Sequence, residues 1–178
     1  MEVFEPGQDR KAAALRTSFH VHFFIGVNRM DLKYMDIAFK EAEKAFKRGE
    51  VPVGAVIVKD DKILAKTHNI KEKTHCCVNH AEILAIIKAS KKINNWRLEN
   101  CDLYVTLEPC PMCASAIKQA RIKNVYSALS NKNKENFEII SQIFKKDATN
   151  PEINFENNLS TVKSETLLQQ FFDIKRKK

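Results

Sequence analysis

Leu103-Tyr104-Val105-Thr106-Leu107-Glu108-Pro109-Cys110-Pro111-Met112-Cys113-Ala114-Ser115-Ala116-Ile117 is the stretch that decides the fold. Leu103 to Leu107 is a short apolar run of the kind buried on both faces of a sheet. Pro111 to Ala120 reads as a helix, with Pro111 where a first helical residue tolerates its missing N–H. Lys123 to Ala128 reads as the next strand. A strand, a helix and a strand in succession favour an α/β sheet with helices on both faces.

The flanking chain repeats this alternation. Met35, Ala38, Phe39, Ala42, Ala45 and Phe46 recur at helical spacing, and Gly49 marks a stop. Val51 to Val58 is almost continuously apolar, and Asp60-Asp61 turns it into a second strand over Ile63 to His68. A helix is expected from Asn79 to about Ile93, where Asn94-Asn95 breaks it. Further on, Phe137 to Phe144 and Glu165 to Ile174 look helical, with a short strand near Ile153. Residues 1–29 show neither sustained periodicity nor a motif and are read as an N-terminal extension of no assigned role, with residues 30–178 as one domain.

Composition agrees with a globular chain: 178 residues, 44% hydrophobic and 29% charged. No apolar run is long enough to span a bilayer. Lys and Arg outnumber Asp and Glu by 30 to 22, a formal charge of +8 that suits polyanions but equally suits a plain basic surface. Five cysteines, Cys76, Cys77, Cys101, Cys110 and Cys113, make an odd number without a convincing export signal. Reduced thiols and a cytoplasmic compartment are therefore expected.

Cys110 and Cys113 lie three apart at a helix start, so both sulfurs can reach one tetrahedral ion, and the helix N-terminus favours thiolates. A C-x-x-C pair can equally be a redox couple or two inert core thiols. His80-Ala81-Glu82 at the head of another apolar helix completes a known pattern, His-x-Glu upstream of Pro-Cys-x-x-Cys, the signature of zinc deaminases. Each residue has an ordinary alternative: His80 a satisfied histidine, Glu82 the partner of Asn79 in a capping box. All the ordinary readings would have to hold together. Two thiolates and one imidazole leave a fourth position for water, which is the composition of a catalytic zinc, one per chain. Adjacent Cys76 and Cys77 chelate one ion poorly. Glu82, two residues from His80, is read as the proton carrier beside the metal and not as a ligand.

With these residues in place, the chain resembles the bacterial tRNA-specific adenosine deaminases of the cytidine-deaminase-like superfamily, from about Met35 to Arg176. The likeness rests on Glu50-Val51-Pro52-Val53-Gly54-Ala55, His80-Ala81-Glu82-Ile83, the Leu103 to Ile117 block, Arg121-Ile122 and Phe171-Phe172. It implies a three-layer α/β/α fold with a mixed five-stranded sheet and a homodimer. It further implies zinc-dependent conversion of adenosine to inosine at the first, wobble position in the anticodon loop of a tRNA. It also implies Val53 as a wall of the base pocket, Asn69 as a hydrogen-bonding partner of the nucleoside and Ala81 as a backbone donor. Cys76-Cys77-Val78-Asn79 and Tyr126-Ser127-Ala128-Leu129-Ser130 depart from the family pattern. Rival functions are deamination of free cytosine, cytidine or guanine, and a non-catalytic zinc-stabilised RNA-binding subunit. Candidate phosphate contacts are Lys118, Arg121 and Lys123, and Lys175, Arg176, Lys177 and Lys178, each with the alternative of a solvated or dipole-complementing cation.

Overall fold

A computed structural model describes residues 29–131, 133–159 and 161–177. Apart from Arg29, the expected N-terminal extension lies outside the described residues, as does Lys178. The elements in order are α1 (Arg29–Lys47), β1 (Gly54–Lys59), β2 (Lys62–His68), α2 (Lys71–Thr74), α3 (Ala81–Ile93), β3 (Asp102–Val105), α4 (Pro111–Gln119), β4 (Asn124–Ser127), α5 (Lys134–Phe144), β5 (Asn154–Glu156) and α6 (Thr161–Arg176).

The sheet runs β2-β1-β3-β4-β5. β1 is antiparallel to both β2 and β3, whereas β3, β4 and β5 are parallel, so the expected mixed five-stranded sheet is present. Asp60 and Asp61, both at positive φ, make the two-residue turn from β1 into β2. Alternation along β1 explains its unbroken apolar run. Ala55 and Ile57 enter a core with Ala85, Ile117 and Ile140 from α3, α4 and α5, while Val56 and Val58 enter a second core with Met35, Ala38 and Phe39 of α1. Helices therefore cover both faces, and α6 lies on α1, its Phe171 edge-on to Phe46 at 6.4 Å.

Gly54 lets α1 sit directly on the head of β1. A Cβ there would lie 2.0 Å from the Ala38 carbonyl oxygen and 2.6 Å from the Ala42 nitrogen, both backbone atoms. Several boundaries differ from the sequence reading, with α1 starting at Arg29, β1 at Gly54 and α6 at Thr161, and two of the differences have local reasons. α5 starts at Lys134, before Phe137, because the Asn133 side chain accepts from the Glu135 N–H. α3 starts at Ala81 and not at Asn79, whose side chain donates instead to Thr74 Oγ1 at 2.8 Å, so the capping-box alternative for Glu82 is not formed. The one-turn α2 had no apolar period to announce it. Among the described residues no helix is long and apolar enough to cross a membrane.

Candidate metal centre

The two motifs meet at the mouths of two helices. His80 is the N-cap of α3 and Cys110 the N-cap of α4, both with extended backbone and neither spending its side chain on a capping bond. Pro111 occupies the first turn of α4, and Cys113 follows on the same side, fully buried. His80 Nδ1 lies 3.8 Å from Cys110 Sγ and 3.5 Å from Cys113 Sγ, and the three donor atoms all fall within 4.8 Å of one another. A tetrahedral ion with Zn–N and Zn–S bonds of ordinary length separates neighbouring N and S donors by roughly 3.6 Å. The nitrogen and sulfur donors therefore fit zinc in both type and spacing. Cys76 and Cys77 take no part in this group.

Glu82 stands on the first turn of α3, buried against the trio. Burial, seconded by the charge of Cys110, pushes its carboxyl up to about 6, against the pull of its own backbone N–H, of His80 and of a hydrogen bond with Cys113. Cys110 is brought down to about 5, first by the hydrogen bond it receives from Cys113 and then by first-turn N–H groups and His80. The same hydrogen bond, together with burial, drives the Cys113 thiol upward. A bound metal deprotonates coordinating thiols outright.

Ala81 follows His80 directly, while Val53 and Asn69 are joined to each other just before β1 and just after β2. The Asn69 N–H donates to the Val53 carbonyl at 3.0 Å, and the Thr67 hydroxyl, two residues before Asn69, donates to the Ala81 carbonyl at 2.7 Å. Ala81 heads α3, where first-turn N–H groups have no intrahelical partner. Val53 is also packed into the core on the β1 side.

Two buried carboxylates hold this geometry, and the sequence reading assigned neither a role. Glu50 accepts from the N–H groups of Glu72 (3.0 Å) and Lys73 (2.7 Å) and from the Asn69 amide (3.5 Å), which pins the segment leading to His80. Glu108, next to the metal-bearing turn, accepts from Ser130 Oγ (2.8 Å), the Asn131 N–H (3.3 Å), Asn136 Nδ2 and Asn157 Nδ2 (each 2.6 Å). The only available signal was an acid abutting an apolar strand run at each position. The departing segments serve the same scaffold: Tyr126 stacks on Tyr104 at 4.9 Å, Ser127 bonds Asn157, and Ser130 bonds Glu108.

Lys118 overturns its expected role as a phosphate contact. It is buried, and its Nζ donates to the carbonyls of Phe144 (3.4 Å), Lys145 and Pro151 (3.0 Å), stapling α4 to the end of α5. An ammonium enclosed by carbonyls presents no charge to a ligand. Arg121 is engaged by Glu99 at 3.0 Å and lies over the Trp96 ring, and Arg176 pairs with Asp173 at 2.8 Å. Lys123, Lys175 and Lys177 remain exposed.

Residues 28–129 match the family model of the cytidine and deoxycytidylate deaminase zinc-binding region, and the chain belongs to that family. Over 139 residues it is 38% identical to a tRNA-specific adenosine deaminase of Streptococcus pyogenes serotype M1, covering 78% of this chain and 81% of that one. A solved structure from work on A-to-I editing by tRNA:A34 deaminases at the wobble position of transfer RNA superposes with a TM-score of 0.71 at 34% identity, covering 77% of this chain and 99% of the other. A guanine deaminase from Bacillus subtilis superposes with a TM-score of 0.56 at 28% identity, over 83% of this chain and 95% of that one.

Proposed function

We propose that this chain is a zinc-dependent hydrolase that converts adenosine to inosine at the wobble position of a tRNA anticodon. The observation that carries the reading is the trio of His80 Nδ1, Cys110 Sγ and Cys113 Sγ at two helix mouths, with a buried carboxyl, Glu82, against it. His80, Cys110 and Cys113 hold one zinc per chain. When bound there, zinc supplies the Lewis acidity that brings the pKa of water toward neutrality. Glu82 takes a proton from the attacking water and delivers it to N1 of adenine as the water oxygen adds at C6. A second proton passes through Glu82 to the 6-amino nitrogen, which leaves as ammonia, and the keto group of inosine remains. Burial, which raises this carboxyl, favours its taking up the proton of the water.

Val53 forms a wall of the base pocket, Asn69 hydrogen-bonds the nucleoside and the Ala81 N–H donates into the pocket. A base held in a duplex cannot bring C6 to such a recess, so the target is presented unstacked in a loop. The working form is a cytoplasmic homodimer. The fold likeness to a guanine deaminase keeps free bases as the second reading, since the proton chemistry would be the same. A purely structural zinc has no use for a buried carboxyl at its open side, which argues against a non-catalytic subunit.

The experiment measures bound zinc and adenosine-to-inosine conversion in an anticodon stem-loop, beside release of ammonia from free bases, for the wild type and Glu82→Gln. Expected are one zinc per chain in both and a loss of about 10²–10⁴ in turnover in the variant. Loss of zinc from Glu82→Gln would make Glu82 a ligand and refute its role. Turnover of free guanine or cytosine with none on the stem-loop would select the second reading.

A further inference from the structure

A groove of about 740 Å³ opens along the free edge of the sheet, bounded by the end of α1, β2, α2 and the outer side of α3. Among the described residues that line it are the cations Lys44, Arg48, Lys66, Lys73, Lys88 and Lys91, all exposed, with Ile70, Leu84 and Ile87 between them. The one acid among the described lining residues, Glu41, is buried and already held between Lys44 at 2.6 Å and His68 at 2.9 Å. The groove is thus far more basic than the chain as a whole, in which 30 cations face 22 acids. One end of its lining comes near the metal trio along the chain: the Leu84 N–H donates to the His80 carbonyl at 3.1 Å, and Ile70 follows Asn69.

We propose that this groove carries the sugar-phosphate backbone of the RNA strand leading away from the base in the active site, an inference that rests on the reading of the chain as an RNA deaminase. Leu84, Lys88 and Lys91 fall on one stripe of α3 about 10 Å long, room for roughly three stacked nucleotides. Cations without exposed carboxylates suit phosphates spaced along a strand. A second copy meeting this face about a two-fold axis would bring cations against cations, which disfavours it as a contact between copies.

Two ordinary roles compete. Lys66 charges an edge strand and so discourages pairing with another chain, and Lys91 complements the C-terminal end of α3. The test therefore uses Lys66→Glu/Lys88→Glu/Lys91→Glu, which keeps the edge charged while reversing attraction, and the corresponding triple Gln variant in case the first fails to fold. A control triple, Lys40→Glu/Lys134→Glu/Lys146→Glu, makes the same change in net charge at exposed positions outside the groove. Binding to a full anticodon stem-loop and to a minimal loop oligonucleotide is measured against salt, with sedimentation to follow oligomeric state.

Expected for either groove triple is at least about a tenfold loss of stem-loop affinity at low salt, with the slope of log K against log salt reduced by about 2–3. The control should change far less, and so should the groove triple on the minimal loop. Equal losses in the groove and control triples would reduce the effect to net charge and overturn the proposal, and so would unchanged binding by the groove triple. A shift in oligomeric state without a change in slope would make the face a contact between copies. A wild type that binds the stem-loop through the groove but deaminates only free bases would refute the functional reading and leave the groove standing. A wild type that edits the stem-loop while the groove triple binds normally would do the reverse.

Discussion

Glu50→Ala tests whether a residue far from the metal in sequence holds the approach to it. In the wild type the buried carboxylate accepts from the backbone N–H groups of Glu72 and Lys73 at 3.0 and 2.7 Å, and from the Asn69 amide at 3.5 Å. α2 has no side-chain cap of its own at Ile70, so Glu50 serves its first N–H groups from across the fold. Stranding a donor costs roughly 1–3 kcal/mol. Because α2 lies at the surface and water can reach part of it, we set the sum for the two backbone donors at about 2–4 kcal/mol, the lower part of that range. At 2–4 °C per kcal/mol for a chain of this size, Tm should fall by about 4–16 °C. Amide exchange should accelerate specifically at Glu72 and Lys73, and KM for the stem-loop should rise as Asn69 loses its anchor. Glu50→Gln, which keeps one acceptor oxygen but turns an N–H₂ toward donors, should recover only part of the loss. A stability change under about 0.5 kcal/mol with unaltered exchange at Glu72 and Lys73 would show that Glu50 does not hold this segment.

Cys113→Ala should lose tightly held zinc together with activity, measured by metal analysis, and full zinc occupancy in that variant would remove Cys113 from the ligand set. Gly54→Ala forces a Cβ to within 2.0 Å of the Ala38 carbonyl oxygen, so α1 must move off β1, at a cost of about 3 kcal/mol or more in urea unfolding. A near-neutral result would mean that the helix is free to shift. Burial raises the Glu41 carboxyl, but hydrogen bonds from Lys44 and His68 outweigh it and hold the group below its ordinary value near 4.5. Its contribution to stability is present above that value and lost as pH falls through the lower folded pKa. Glu41→Gln should therefore flatten the acid limb of the stability curve below about pH 4.5, and an unchanged limb would contradict the pairing.

The ligand set was legible because its spacing is local on each side. Cys110 and Cys113 sit at the N-cap and in the first turn of α4, and His80 and Glu82 at the N-cap and in the first turn of α3, so each short motif marks one helix start. The strands and longer helices were legible for the same reason, since period and burial coincide: Val51 to Val58 reads as unbroken because its alternate residues enter two different cores. Signals without a period were lost. α2 is a single turn held by a carboxylate from elsewhere, and the roles of Glu50 and Glu108 exist only where distant segments converge on them.

Lys118 shows the limit most plainly. In sequence it is one more lysine in a basic stretch after the metal helix, indistinguishable from Lys123. Its burial beneath the α5–β5 connection, where carbonyls enclose the ammonium, is a property of the folded chain. The basic groove is equally absent from any linear pattern, since Lys44, Lys66 and Lys88 belong to three elements that only the packing of α1 and α3 about the β2 edge brings together. Sequence alone marked out His80, Cys110 and Cys113, which the fold brings together, and most of the local elements that hold them, because neighbours along a helix or strand are set by its geometry. Which charges are consumed by the fold, which remain for a ligand and how the two helix mouths meet are matters of long-range packing and hydrogen bonding, and only the tertiary structure decided them.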